Sequence, residues 1–406
     1  SIPAFFGMFV QTLYNVVDTI FIGQFVGTLA IAGLSIVFPL QMLAMGIGMM
    51  VGMGGASLIS RFLGSREIGN AERTVGNGIS VAIIMSVLVT VAVVPLMDFW
   101  LKLIGASNEV LPYAKDYLLI IMSGTVTNVL AMALVNFVRA EGNARVPMVS
   151  MILGAVLNII LDAIFIIPLK MGVSGAAIAT VISQIASMIY LIVYYAGGNS
   201  FLKIHLRNFR PDLMILRKMF AIGIASFVQT IGSSFSAMLL INSVVRYGGD
   251  IYLSAFGIIQ RVMMFATMPA MVIGQGAQPI LGFNYGARRF GLALKALKIA
   301  TIASTALSLL AFAILYSIPG PIIRIFSSDP LLVDAGIHAS RLVFWSMPLM
   351  GLVMVGSTSF MSIGKAVQAF ITAAARPVLF MIPAIIIMPR FFGLEGVFLS
   401  FPTSDF

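Results

Sequence analysis

Two carboxylates, a carboxamide and a hydroxyl are placed in this sequence where their charge and polarity need a reason. Asp18 is the only charged residue of an apolar run that begins at Ile2, within Tyr14-Asn15-Val16-Val17-Asp18-Thr19-Ile20-Phe21-Ile22-Gly23. Asp162 is the only acid of the apolar run 147–169, and Asn158 precedes it by four residues, which stacks the two on one helix face. Thr180 follows soon after the Gly172-Val173-Ser174-Gly175 start of the next run. A bare carboxylate in hydrocarbon costs roughly 3 kcal/mol or more, so acids there face a polar interior and carry ions or protons. The four side chains form an all-oxygen set that can take a proton or hold a hard cation such as Na⁺. The competing use is structural: an Asp near a helix end reaching headgroups, or Asn158 and Thr180 joining helices by hydrogen bonds.

The elements that must position these groups are membrane spans. The chain has 406 residues, 60% hydrophobic and 9% charged, with a mean hydropathy of +1.07; no soluble domain needs so much apolar surface, and an all-α polytopic membrane protein is expected. Apolar runs long enough to span fall near 2–24, 29–60, 75–97, 112–138, 147–169, 174–196, 216–245, 251–281, 291–318, 333–362 and 367–389. A twelfth begins at Gly393-Leu394-Glu395-Gly396, but the sequence stops at Phe406, so twelve spans are expected with the last truncated. The start at Ser1 suggests a trimmed N-terminus, and no signal peptide is visible.

The absence of cysteine excludes disulfides, thiol catalysis and cysteine metal sites. His205 and His338 have no paired ligand. No Asp-Asp-x-x-Asp motif supports an intramembrane transferase, and an enzyme is not expected. The net charge of +10 is topological: fifteen Lys and Arg follow even-numbered spans and seven follow odd-numbered ones. The positive-inside rule then places the even loops and the N-terminus in the cytoplasm, and nucleic acid is not implied.

An internal repeat is legible. Phe62-Leu63-Gly64-Ser65-Arg66-Glu67-Ile68-Gly69 aligns with Asn284-Tyr285-Gly286-Ala287-Arg288-Arg289-Phe290-Gly291. Gly64 and Gly286, Gly69 and Gly291, and Gly142 and Gly364 each stand 222 residues apart, and Gly172 and Gly393 stand 221 apart. Six crossings per repeat give two six-helix bundles of the same orientation, related by a pseudo-twofold axis along the membrane normal. We expect a first lobe over 1–196, a basic cytoplasmic linker over 197–218 and a second lobe over 219–406. Such two-lobed carriers work by alternating access, with the substrate path between lobes.

The second half lacks a mid-span acid in spans seven to eleven; Asp250 and Asp329 fall in loops and Asp334 near the start of span ten. Arg261 and Arg376 lie within spans eight and eleven, where they can snorkel, pair with carbonyls or meet a substrate. Tyr14, with Asn128 and Asn136 of span four and Gln229 of span seven, is a candidate for lining a wet substrate cavity. The 27 methionines suit a compliant pocket. Gly46, Gly48, Gly52, Gly54 and Gly55 lie in an apolar span without a following Lys-Ser/Thr, and indicate close helix packing rather than a phosphate loop.

The sequence resembles the multidrug and toxic compound extrusion (MATE) family. The residues that carry this are Tyr14-Asn15-Val16-Val17-Asp18-Thr19, Asn158 with Asp162, and Gly276-Ala277-Gln278-Pro279-Ile280-Leu281-Gly282-Phe283-Asn284-Tyr285-Gly286-Ala287. The last stretch is most similar to the MepA-type exporters of the DinF-like branch. The resemblance implies a V-shaped pair of six-helix bundles in a prokaryotic cell membrane, exporting cationic amphiphiles in exchange for Na⁺ or H⁺, as a monomer without a cofactor. It implies coupling through Asp18, Asn158, Asp162 and Thr180, the same set that would hold Na⁺. The acids that the NorM-type branch uses in spans seven and ten are missing here. A lipid-linked precursor flippase of the same superfamily is the alternative; it would want a cationic central cavity, for which Arg261 and Arg376 are the candidates.

Overall fold

The structure, a computed structural model, describes residues 2–26, 28–327 and 329–405. The side chains of Asn15, Val16, Thr19, Ile20, Gly23, Thr28 and Asp250 lie outside the described residues. So do the corresponding side chains of the span-one motif, whereas the backbone of Asp250, expected in a loop, lies within α9 directly after its break at Gly249. Every regular element among the described residues is helical: α1 (Ile2–Phe25), α2 (Thr28–Gly64), α3 (Ile68–Val93), α4 (Met97–Ile104), α5 (Leu111–Ser123), α6 (Thr125–Ala140), α7 (Arg145–Ile166), α8 (Gly172–Ala196), α9 (Leu213–Gly286), α10 (Phe290–Ser317), α11 (Pro319–Arg324), α12 (Pro330–Val343), α13 (Met347–Ser362), α14 (Ala366–Ala374) and α15 (Met381–Asp405). Long α9 breaks at Gly249 (φ 69°) and α15 at Gly393 (φ 57°). Among the described residues nine helical stretches are long and apolar enough to cross a membrane, ten if α5 and α6, bent by 51°, are one span. Together with α1, these cover the eleven expected apolar runs.

The repeat written in the glycines is also written in the backbone. Arg66 and Arg288, 222 residues apart, both take φ near +60° (63° and 58°), a left-handed conformation that side chains rarely adopt. Each follows a helix whose end is closed in the same way: Glu67 N–H donates to Phe62 O at 2.8 Å and Arg289 N–H to Asn284 O at 2.8 Å, the wrap-back of a Schellman end. The residues that start the next helices match as well, with Glu67 at φ −88°, ψ 61° and Arg289 at φ −90°, ψ 62°. Gly142 and Gly364, at φ 91° and 78°, close α6 and α13 in the same manner.

The chain divides into two compact units, Ser1–Phe227 and Val228–Phe406. The sequence places the boundary at 218/219; the division falls nine residues further on because the first turns of α9 pack into the first unit. A Cβ on Gly54 would lie 2.2 Å from Met219 O, and one on Gly223 would lie 2.1 Å from Met50 O. Only glycine permits this backbone-to-backbone approach of α2 and α9. The glycine-rich run of α2 is likewise a packing surface: Gly48 faces Met132, Gly52 faces Asn136 and Gly55 faces Phe137. The polar segment between α8 and α9 is strapped to the first unit. Buried Asn77 donates from Nδ2 to Asn208 O (3.1 Å) and Arg210 O (3.2 Å) and accepts from Asp212 N–H (2.7 Å). Glu141, at the end of α6, accepts from Ser200 Oγ at 2.6 Å, and burial raises its pKa above the usual 4.5.

In the second unit, Leu240, Phe256, Met263, Phe344, Met347, Phe398 and Phe401 form the core. Between α14 and α15 the chain makes a π-helical turn over Ala375–Phe380, opened at Pro377, which has no N–H to give. The Pro377 carbonyl accepts from buried Ser236 Oγ of α9.

Candidate ion-coupling site

Four-residue spacing on α7 builds the site. Ser150, Gly154, Asn158 and Asp162 form one stripe along the helix, and this stripe faces α8. At one end a reciprocal clasp joins the helices: Ser150 Oγ donates to Ser187 O at 3.2 Å and Ser187 Oγ donates to Ser150 O at 3.0 Å. Gly154 keeps the seam tight, for a Cβ there would meet Ser187 Oγ at 2.3 Å. With the backbones held this close, Asn158 and Asp162 must also lie against α8, where Thr180 stands. On its other side α7 packs along α1, close enough that a Cβ on Gly7 would touch Met151 and Met148 at 3.1 and 3.3 Å.

Asp162 is fully buried and Asn158 nearly so, at 0% and 1% exposure. When the Asn158 amide is oriented to satisfy both its ends, Nδ2 donates to Asp162 Oδ2 at 3.0 Å and Oδ1 accepts from Thr180 N–H at 3.2 Å. The opposite orientation offers only a 3.4 Å contact with Thr180 Oγ1. Hydrogen-bond satisfaction therefore selects the first. Asp162 Oδ1 and Asp18 Oδ1 are both buried without a hydrogen-bond partner among the described residues. The two carboxylates are within electrostatic reach of each other and of the phenols of Tyr14 and Tyr117. Two like charges with unsolvated oxygens in one apolar pocket repel strongly, and a proton on either relieves this.

The structure thus brings Asp18, Asn158, Asp162, Thr180 and Tyr14 together. The other sequence candidates lie elsewhere. Asn136 packs in the seam of α2 and α6, at 7% exposure, with its Nδ2 donating to Met132 O at 2.8 Å. Those contacts are those of a helix-packing residue. Asn128 is half-buried on α6, with Oδ1 unpartnered among the described residues. Gln229 is half-buried on α9 and belongs to the second unit. Two residues beside the site escaped the sequence: Tyr117 of α5 is buried, and its hydroxyl accepts from Gln41 Nε2 of α2 at 3.3 Å. Gln41 is the only carboxamide in the run 29–60, which was the available signal. Arg376 is also corrected: it neither snorkels nor caps carbonyls but forms an ion pair with Asp405, while Arg261 is exposed. Among the described residues no cluster of three or more His, Cys, Asp or Glu could hold a metal ion.

An all-helical membrane carrier built from two sequence-related halves, with a buried pair of acids in one of them, is the class that fold and site define. A family profile described as MatE matches residues 3–164 and, starting 222 residues later, 225–386; the chain belongs to the MATE family. It is 26% identical over 400 residues to the multidrug export protein MepA of Staphylococcus aureus (strain NCTC 8325 / PS 47), covering 98% of this chain and 88% of that one. Among solved structures, the MATE multidrug transporter DinF-BH is 39% identical, with a TM-score of 0.93 over 100% of this chain and 91% of that one. An outward-facing multidrug resistance MATE family transporter of the MOP superfamily is 26% identical, with a TM-score of 0.91 over 100% and 90%.

Proposed function

We propose that this protein is a multidrug antiporter that exports organic cations and amphiphiles by alternating access, driven by protons loaded onto Asp18 and Asp162. The observation that carries the reading is the fully buried Asp162, with Oδ1 bare beside Asp18, whose own Oδ1 is equally bare. Emptied of protons, the pair places uncompensated charge in an apolar interior, a state that an entering organic cation can neutralise. Proton entry removes the need for that cation, lets α1, α7 and α8 close on one another and releases the drug. The unloaded form returns to bind drug on the cytoplasmic side, where we place the N-terminus, in a prokaryotic cell membrane. Tyr14, Asn128 and Gln229 are proposed to line the drug path, and the protein to act as a monomer.

The proton is preferred to Na⁺ on the Asn158 amide. Oriented to satisfy its hydrogen bonds, that amide gives the carboxylate an N–H and its oxygen to Thr180 N–H; Na⁺ at Asp18, Asn158, Asp162 and Thr180 would take the opposite orientation, with the oxygen turned toward it. The flippase alternative loses its support in the first unit, which offers acids where a pyrophosphate would need cations, and in the second the charge of Arg376 is cancelled by Asp405, leaving no net positive charge at that pair for a pyrophosphate. Purified protein in vesicles tests the reading. With a pH gradient and no Na⁺, a cationic dye should be concentrated while a labelled lipid-linked precursor is not moved. Precursor flipping without dye transport, or dye transport driven only by Na⁺, would overturn it.

A further inference from the structure

Inside the second unit a cavity of about 280 Å³ lies between the two parts of α9, α13, the π turn and α15, with Gln260, Met263, Met264, Met350, Arg376 and Met381 among its walls. Arg376 is half-buried and reaches this space, while the Asp405 side chain behind it is fully buried. A buried ion pair adds little stability compared with apolar packing of the same volume. An ionisable group held inside a membrane bundle therefore points to a ligand or an ion path. The pair uses Nε and Nη2 of the guanidinium. Five N–H donors are available on the fork, and no acceptor among the described residues meets Nη1. Asp405 thus fixes the arginine and cancels its net charge without covering its donor edge. Gln260 supplies a second polar group, the Ser236 hydroxyl is committed to the Pro377 carbonyl, and the methionine thioethers give a polarisable, adaptable wall.

We propose that this cavity is a binding site for amphiphiles bearing a carboxylate or similar acceptor oxygen. The oxygen sits on Arg376 Nη1 and Gln260, and the adjoining apolar body lies against the methionines. The volume suits the polar end of such a molecule rather than a whole drug. Chemistry separates this site from the first unit's acids: those attract cations, whereas this one offers donors and no free negative charge. An exporter with both would carry zwitterions and acids as well as cations. The inference concerns binding by the second unit and does not depend on proton coupling in the first.

The test uses dansylglycine and dansylcadaverine, which share a fluorophore and differ in carrying a carboxylate or an ammonium, with the whole protein in phosphatidylcholine nanodiscs. Arg376→Met would strand a buried carboxylate, so the double variant Arg376→Met/Asp405→Leu removes the pair as a unit. We expect the double variant to bind dansylglycine at least about tenfold more weakly, the loss of one charge-assisted hydrogen bond. Dansylcadaverine binding should stay within about twofold, which also reports a folded protein. Gln260→Leu keeps the ion pair and should weaken dansylglycine alone, by about fivefold. Exchanging phosphatidylcholine for phosphatidylglycerol identifies the source of the natural ligand. A lipid headgroup as occupant would compete with dansylglycine in the wild type and not in the double variant, whereas a soluble amphiphile would leave affinity unchanged. Wild-type protein that binds dansylcadaverine but not dansylglycine, or a double variant that binds dansylglycine as the wild type does, overturns the proposal. Failure of dansylcadaverine to bind would instead count against cation export.

Discussion

Asp162→Asn separates folding from coupling. The new amide fills the volume of the carboxylate, and its oxygen can still accept from Asn158 Nδ2, the 3.0 Å bond that Asp162 makes now. A neutral amide is also cheaper than a charge in the membrane interior. With one hydrogen bond retained and one ionic state removed, the change in stability should be about 1 kcal/mol or less in either direction. The loss in coupling should be total. A pH gradient of about two units stores about 2.7 kcal/mol per proton, enough to hold a cation at about a hundredfold ratio if one proton is exchanged for each drug with the membrane potential clamped. In proteoliposomes the wild type should approach that ratio, and Asp162→Asn should only equilibrate the dye. Asp18→Asn should behave alike, and the double variant little worse than either, because the two acids act as one unit. If Asp162→Asn still concentrates the dye, the proton travels elsewhere and Asp162 is a structural polar residue.

Other outcomes follow from the scaffold. Gly54→Ala places a Cβ 2.2 Å from Met219 O, and overpacking at this backbone contact should cost about 1–3 kcal/mol, seen as a lowered unfolding temperature in detergent. Asn77→Ala removes its three hydrogen bonds to the segment between α8 and α9. It should cost about 3 kcal/mol and expose residues 197–212 to proteolysis first. Glu141 binds its proton more tightly when folded than the usual 4.5, so ionising it above that value works against the fold. Stability should fall as pH rises from about 4.5 through the raised folded value, by linkage. Glu141→Gln should flatten that part of the thermal-unfolding profile, and a profile as steep as the wild type's would place the titration elsewhere.

Which parts of this were legible in sequence follows from the range of the interactions. Span positions came from run length, and the acids of α1 and α7 from their isolation in apolar runs, both local signals. The repeat was legible because left-handed helix ends at 142 and 364 need glycine, which marks the same turn in both halves. Arg66 and Arg288 take the same conformation without glycine, and there the mark is the Gly-x-Arg shared by the two halves, at 64–66 and 286–288. The Arg376–Asp405 pair was invisible because its partners lie 29 residues apart across the break at Gly393, so no periodicity links them. Tyr117 and Gln41 meet from helices 76 residues apart, a contact set by tertiary packing alone. Hydropathy assigns the first turns of α9 to the second lobe because it ignores where a helix packs, and only the Gly54 and Gly223 contacts reveal it.

The exchange of proton for drug at one buried acid pair can be read without a membrane gradient. Purified protein in weakly buffered, Na⁺-free detergent is mixed with dansylcadaverine while a pH indicator reports protons. Binding of the cation should expel protons from the wild type in proportion to occupancy, and none from Asp18→Asn/Asp162→Asn. Dye binding without proton release by the wild type, or release that persists in the double variant, would contradict coupling through these two carboxylates.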